Sequence, residues 1–182
     1  MQESRPAQPK EAAMPEPREH TERRNWIETI LRYIPGFRGY LEKEYRREAD
    51  ELQREWLADR LQRAKRSVDD LARPLADAGQ IDALPQIDRL RARLDKLLGR
   101  IRGAMQGYSG FFDLVRINEP VLDRVYEHDV ALMTKADALA TVLVQLPSRP
   151  DRIPAAVGEL LAKIDEVEEE WDRREDILKG LE

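Results

Sequence analysis

The stretch 57–79, "LADRLQRAKRSVDDLARPLADAG", decides the fold class. Its apolar residues Leu57, Leu61, Ala64, Val68, Leu71, Leu75 and Ala78 step by 4, 3, 4, 3, 4, 3. Alternating steps of three and four return to one side of a 3.6-residue helix, whereas a half-buried strand needs a step of two. Between them fall Asp59, Arg60, Arg63, Lys65, Arg66, Asp69 and Asp70, whose charges stay solvated. The segment therefore predicts a helix with one coiled-coil-like seam that must be covered by other helices.

Upstream, Leu41, Tyr45, Ala49, Leu52 and Trp56 carry an apolar stripe back to Tyr40. A helix from Tyr40 to about Ala78 would be roughly 55–60 Å long. Pro74 should kink it or end it near Ala72, and Gly79 is a natural stop. Asp82 as a cap and Pro85 in the first turn then open a second helix. Its seam is Ile87, Leu90, Leu94, Leu97, Ile101 and Ala104, and it runs to about Gln106. A third helix opens at Asn118–Glu119–Pro120, with the seam Leu122, Val125, Asp129, Leu132, Ala136, Leu139, Leu143 and Leu146. Asp151 caps a fourth, whose seam reads Ile153, Val157, Leu160, Ile164, Val167, Trp171 and Leu178. Ahead of all four, Trp26, Ile27, Ile30, Leu31 and Ile34 share one face of a short helix stopped by Pro35–Gly36.

These elements predict an all-α fold: an elongated up-and-down bundle of four long helices with a short N-terminal amphipathic helix. Short connections should make successive helices antiparallel neighbours. Residues 1–22 mix Pro, Glu, Gln and Arg and hold, after Met1, one large apolar side chain, Met14, so they are expected to form a disordered tail. Residues 23–182 form the single domain.

Composition excludes several chemistries. The chain has no cysteine, which removes disulfides, thiolate metal sites and cysteine nucleophiles. It has two histidines, of which only His128 lies in the folded body. A di-iron bundle uses Glu-x-x-His, but the residue three before His128 is Val125. No GxGxxG, P-loop or G-x-S-x-G is present. The expectation is a non-enzymatic protein with no cofactor, no metal and no small-molecule substrate. No apolar run approaches the ~20 residues of a spanning helix, and no hydrophobic signal core opens the chain. A cytoplasmic location, with the inner face of the membrane as an alternative, is the corresponding expectation.

Two glycine–aromatic clusters punctuate the pattern: "PGFRGY" (35–40) and "GYSGFFD" (107–113). Their glycines permit tight turns, and Phe37, Tyr40, Tyr108, Phe111 and Phe112 are expected to fold back onto the helices. Counting along the first hairpin places GYSGFFD beside Trp56. Leu41, Tyr45 and Leu52 overhang that hairpin and need another helix or subunit. The two corners, with Pro35, Gly36, Phe37, Gly39, Tyr40, Lys43 and Glu44 in the first, resemble those of a family of small uncharacterised bacterial helical proteins. The resemblance spans roughly residues 26–146 and implies no known activity.

Asp129 is the one charged residue in an otherwise apolar seam. A buried carboxylate needs a cation, and Arg100 and Arg102 are the candidates. Such a pair usually fixes helix register.

Three functions compete on these residues. A scaffold or adaptor would bind a protein partner or a second copy of itself through Trp26, Ile30, Leu31, Phe37, Tyr40, Tyr45 and the 108–112 aromatics. A peripheral membrane protein, resembling those of the phage-shock or membrane-remodelling type, would use segment 23–37, whose Trp26 and Tyr33 suit an interface and whose Arg23, Arg24 and Arg32 suit anionic lipid. A nucleic-acid binder would use "RLQRAKR" (60–66) and "RLRARLDKLLGRIR" (89–102), against a net charge of −5 and interspersed Asp. The first is favoured, and nucleic acid is not expected as a partner.

Overall fold

The computed structural model describes residues 17–39, 43–104, 119–146 and 153–179, all of them helical or in turns between helices. Among the described residues six α-helices follow in order: α1 (Pro17–Tyr33), α2 (Lys43–Asp69), α3 (Ala72–Asp77), α4 (Leu84–Gly103), α5 (Glu119–Gln145) and α6 (Ile153–Lys179). A 3₁₀ turn, Ile81–Ala83, precedes α4. The helices α2, α5 and α6 each have 27 residues, about 40 Å of axis at 1.5 Å per residue.

Most of the seam positions read from the sequence form the core, while Ala104 is half-buried and the side chains of Leu122 and Leu178 lie outside the description. Leu57, Leu61, Ala64, Val68, Leu71 and Leu75 are buried, as are Ile87, Leu90, Leu94, Leu97 and Ile101. Val125, Leu132, Ala136, Leu139, Leu143 and Leu146 on α5 meet Ile153, Val157, Leu160, Ile164, Val167 and Trp171 on α6. Each fully buried Leu or Ile contributes about 1.5–3 kcal/mol relative to exposure, so these seams dominate the stability.

Packing links the helices in a ring. α5 lies on α6 and on α2, α2 lies on α4, and α4 lies on α6. Cross-helix ion pairs give the directions. Lys65 reaches Asp95 while Arg91 reaches Asp69, so α2 and α4 are antiparallel. Arg93 pairs with Asp165 and Arg100 with Asp172, so α4 and α6 are parallel. On the other side Asp50 and Asp129 share Arg174, and Arg60 pairs with Asp137, so α2 and α5 are parallel. Successive α4 and α5 are therefore not close-packed neighbours, contrary to the expectation from short connections. α4 is covered by α2 and α6 instead.

The first long helix is shorter than its periodicity suggests. It ends at Asp69, and α3 resumes at Ala72. Pro74 has no N–H to donate to the Asp70 carbonyl, so the ladder cannot run through. As the second residue after Ala72, Pro74 sits in the first turn of α3, where no N–H is missed. Arg91 covers the exposed end of α2: its Nη2 donates to the Val68 and Asp69 carbonyls at 3.2 and 2.6 Å. At the end of α3, Gly79 takes φ 72°. Gln80 N–H donates to the Leu75 carbonyl and Gly79 N–H to the Ala76 carbonyl, a Schellman termination as the glycine predicted. Asp82 does not cap α4, which starts at Leu84 with no side-chain cap. Ala78, counted in the seam, is exposed.

At the N-terminal side, α1 starts at Pro17, so residues 17–22, expected in the disordered tail, are helical. Proline at a first helical position is pre-set for the turn. α1 packs on α5 through Ile30 and Ile34, and Phe37 is buried beyond its end. Leu31, expected on the same face, is 40% exposed. Tyr33 meets Trp56 of α2 edge-on, with ring centroids 5.1 Å apart. α1 thus supplies part of the cover that the overhanging end of α2 needs.

Candidate functional site

At one end of the core the apolar seams give way to charge. Asp50, Gln53 and Arg54 on α2, Asp129 on α5 and Arg174 on α6 are all buried. The helical period explains the meeting. Stepping back from Leu57 by three or four lands on Gln53 and Arg54, then on Asp50. On α6 the seam continues from Trp171 by three to Arg174.

Arg174 is the hub. Its Nε donates to Asp129 Oδ1 at 2.7 Å, and its Nη2 donates to Asp50 Oδ1 at 2.6 Å and to Gln53 Oε1 at 2.8 Å. Arg54 Nε donates to the other oxygen of Asp50 at 2.8 Å. The Arg174 guanidinium also stacks 5.7 Å over the Trp171 ring. Among the described residues, two carboxylates thus face two guanidiniums. The α6 and α2 backbones are not among the close-packed pairs, so the long arginine side chain is what spans them. Charge-assisted bonds are short and directional, so a slip of α6 by one residue would break all three.

The sequence pointed to Asp129 but not to its partner. Arg100 pairs with Asp172, which raises its pKa: the Asp172 hydrogen bond dominates over the opposing effect of burial, and the charges of Asp172, Glu175 and Glu168 add to it. Arg102 is exposed on the outer face of α4. Neither approaches Asp129, because α4 and α5 do not adjoin.

A second cluster flanks the hub. Glu170, on α6 and buried, accepts from Lys135 Nζ at 2.6 Å and from Arg173 Nη1 at 3.2 Å, and lies 3.3 Å from His128 Nδ1. Burial alone would raise the Glu170 pKa. Lys135, His128 and Arg173 together outweigh it and hold the carboxyl below its ordinary range.

The glycine–aromatic corner at 35–39 is structural on its inner side. Gly39 takes φ 80°, and a Cβ there would lie 2.5 Å from the Tyr126 Oη of fully buried Tyr126. Trp26 is half-buried. Tyr40, Tyr108, Phe111 and Phe112 lie outside the described residues, as does the placement of GYSGFFD beside Trp56. Tyr45 is within α2, but its side chain is likewise outside the description.

Among the described residues no group of three or more His, Cys, Asp or Glu is placed to hold a metal ion, and no helix is long and apolar enough to cross a membrane. No protein-family model, curated protein or solved structure matches the chain.

Proposed function

We propose that this chain is a non-enzymatic helical scaffold or adaptor, built as an elongated four-helix bundle of α2, α4, α5 and α6 whose directions alternate along the chain. The observation that supports it best is the commitment of Asp50, Asp129 and Arg174 to one another across three helices. Charges spent on register give a rigid rod with a fixed outer surface, which is what a docking platform requires.

The apolar face of α1 bears on the membrane alternative. Ile30, Ile34 and Phe37 are buried against the body, leaving Leu31 and parts of Trp26, Ile27 and Tyr33 outward. That is little apolar surface for an interfacial anchor. The basic runs bear on the nucleic-acid alternative. Arg60, Lys65, Arg91, Arg93 and Arg100 are engaged by Asp137, Asp95, Asp69, Asp165 and Asp172, which cancels the field a phosphate backbone would feel.

A pull-down of the full chain from its native cell, split into soluble and membrane fractions, tests the reading. A stoichiometric protein partner in the soluble fraction is expected. Recovery of the chain in the membrane fraction alone, released by high salt, would support the lipid-surface alternative instead.

A further inference from the structure

His128 is held from one side only. Its Nδ1 lies 3.3 Å from Oε2 of buried Glu170. Lys135 and Arg173 bond the other oxygen, Oε1, at 2.6 and 3.2 Å, and with His128 they keep that carboxyl ionised at neutral pH. An ionised carboxylate only accepts, so Nδ1 carries the hydrogen, and in the neutral ring the lone pair sits on Nε2. The side chain is 23% exposed. Its Nε2 has no hydrogen bond among the described residues and is not enclosed, so it opens to solvent. A buried carboxylate behind an imidazole whose other nitrogen is open is the arrangement that prepares a histidine nucleophile.

We propose that His128 Nε2 is a phosphoryl acceptor, loaded from a phosphoramidate, a donor whose phosphorus is bonded to nitrogen. The Nε2 lone pair forms the new N–P bond as the donor's P–N bond breaks. The donor nitrogen leaves as an amine with that electron pair and the hydrogens it already holds. The ring keeps its Nδ1 proton and becomes an imidazolium. One N–P bond replaces another, so the transfer is near balance and reversible. Glu170 stabilises the positive charge that forms on the ring, and Lys135 and Arg173 already fix it in place, so no reorganisation is needed. The charges around the ring do not exclude an anionic donor. Glu170 is met by two cations, while Glu169 approaches Arg173 only to 4.0 Å and is 68% exposed. Exposed Arg124, one turn back on α5, offsets exposed Glu127. The site goes beyond the scaffold reading and would let the platform carry a removable negative charge where α5 meets α6.

The test is reaction of the full chain with potassium phosphoramidate at neutral pH, followed by phosphorus NMR and by mass spectrometry of the intact chain and its peptides. A phosphoryl group is expected on His128, at Nε2 and not at Nδ1. It should form at least about tenfold faster in the folded chain than in the same chain unfolded in urea, the worth of one charge-assisted hydrogen bond to the forming imidazolium. Glu170→Gln keeps the side-chain shape and removes the charge. It should slow loading about tenfold and admit the Nδ1 isomer, with circular dichroism confirming that the helices persist. His128→Asn should abolish the folded-state signal, and His20→Asn should leave it intact. Loading no faster in the folded chain than in urea, attachment at Nδ1 in the folded parent, or a folded Glu170→Gln chain that loads at the parent's rate would each overturn the assignment.

Discussion

Replacing Arg174 by Met keeps most of the side-chain length and removes the charge. Before the change, Asp50 and Asp129 face Arg54 and Arg174. Afterwards, among the described residues, two carboxylates share the layer with one guanidinium, and Asp129, fully buried, loses its salt bridge to Arg174. Breaking a buried pair from one side costs about 3–5 kcal/mol. The three Arg174 bonds also hold α6 to α2 and α5, so the upper half of that range is expected for R174M. Replacing Asp129 by Leu in the same chain restores the balance, with Asp50 on Arg54. The double variant should recover to within about 1 kcal/mol of the parent, since well-packed apolar residues replace buried pairs with little loss. Urea unfolding followed by circular dichroism, with unchanged m-values as the control, reads both numbers. An R174M loss under about 1 kcal/mol, or a double variant as unstable as the summed singles, would show that the layer is not electrostatically coupled.

Gly39→Ala should destabilise the chain by more than about 1 kcal/mol, because φ is positive and the new Cβ meets Tyr126 Oη. Adding Tyr126→Phe should return part of that loss in thermal unfolding, since it removes the colliding atom. For Glu170 the folded pKa is depressed, so its stabilisation is present above the unfolded value of 4.5 and is lost as pH falls through the folded value. The stability gap between parent and Glu170→Gln should therefore be widest at neutral pH and close on acidification below about pH 4.5, read by denaturation across pH. On α1, Ile30→Asp should unfold the helix from the body, whereas Leu31→Asp should cost under about 0.5 kcal/mol, as exposed positions do. Equal losses from the two in a melting experiment would contradict the burial of Ile30 and the exposure of Leu31.

The seams were legible because one periodicity runs through each helix and few residues break it. Charged members of those seams were harder to see. Asp129 stood out between Val125 and Leu132, but Arg174 sits where a reader of apolar residues steps straight from Trp171 to Leu178. The 4, 3, 4 rhythm of Val167, Trp171, Arg174 and Leu178 held the signal. Likewise the stripe at Ala49, Leu52 and Trp56 drew attention away from the neighbouring Asp50, Gln53 and Arg54, which carry the Leu57 seam back into the core. Pairing across helices was not legible. Assigning Arg100 or Arg102 to Asp129 assumed that α4 lies beside α5, and the ring order that separates them depends on which faces pack. The strain at Gly39 was equally hidden, because its cause is a tyrosine far along the chain.

Hydrogen exchange at the Arg174 Nε–H tests the central claim most directly. This proton is bonded to Asp129 and buried among three helices, so it should exchange only through global unfolding, with a free energy equal to that of the most protected core amides. Exchange at the rate of the exposed Arg102 side chain would mean that α6 is not locked to α2 and α5, and that the rigid rod proposed as the platform does not exist.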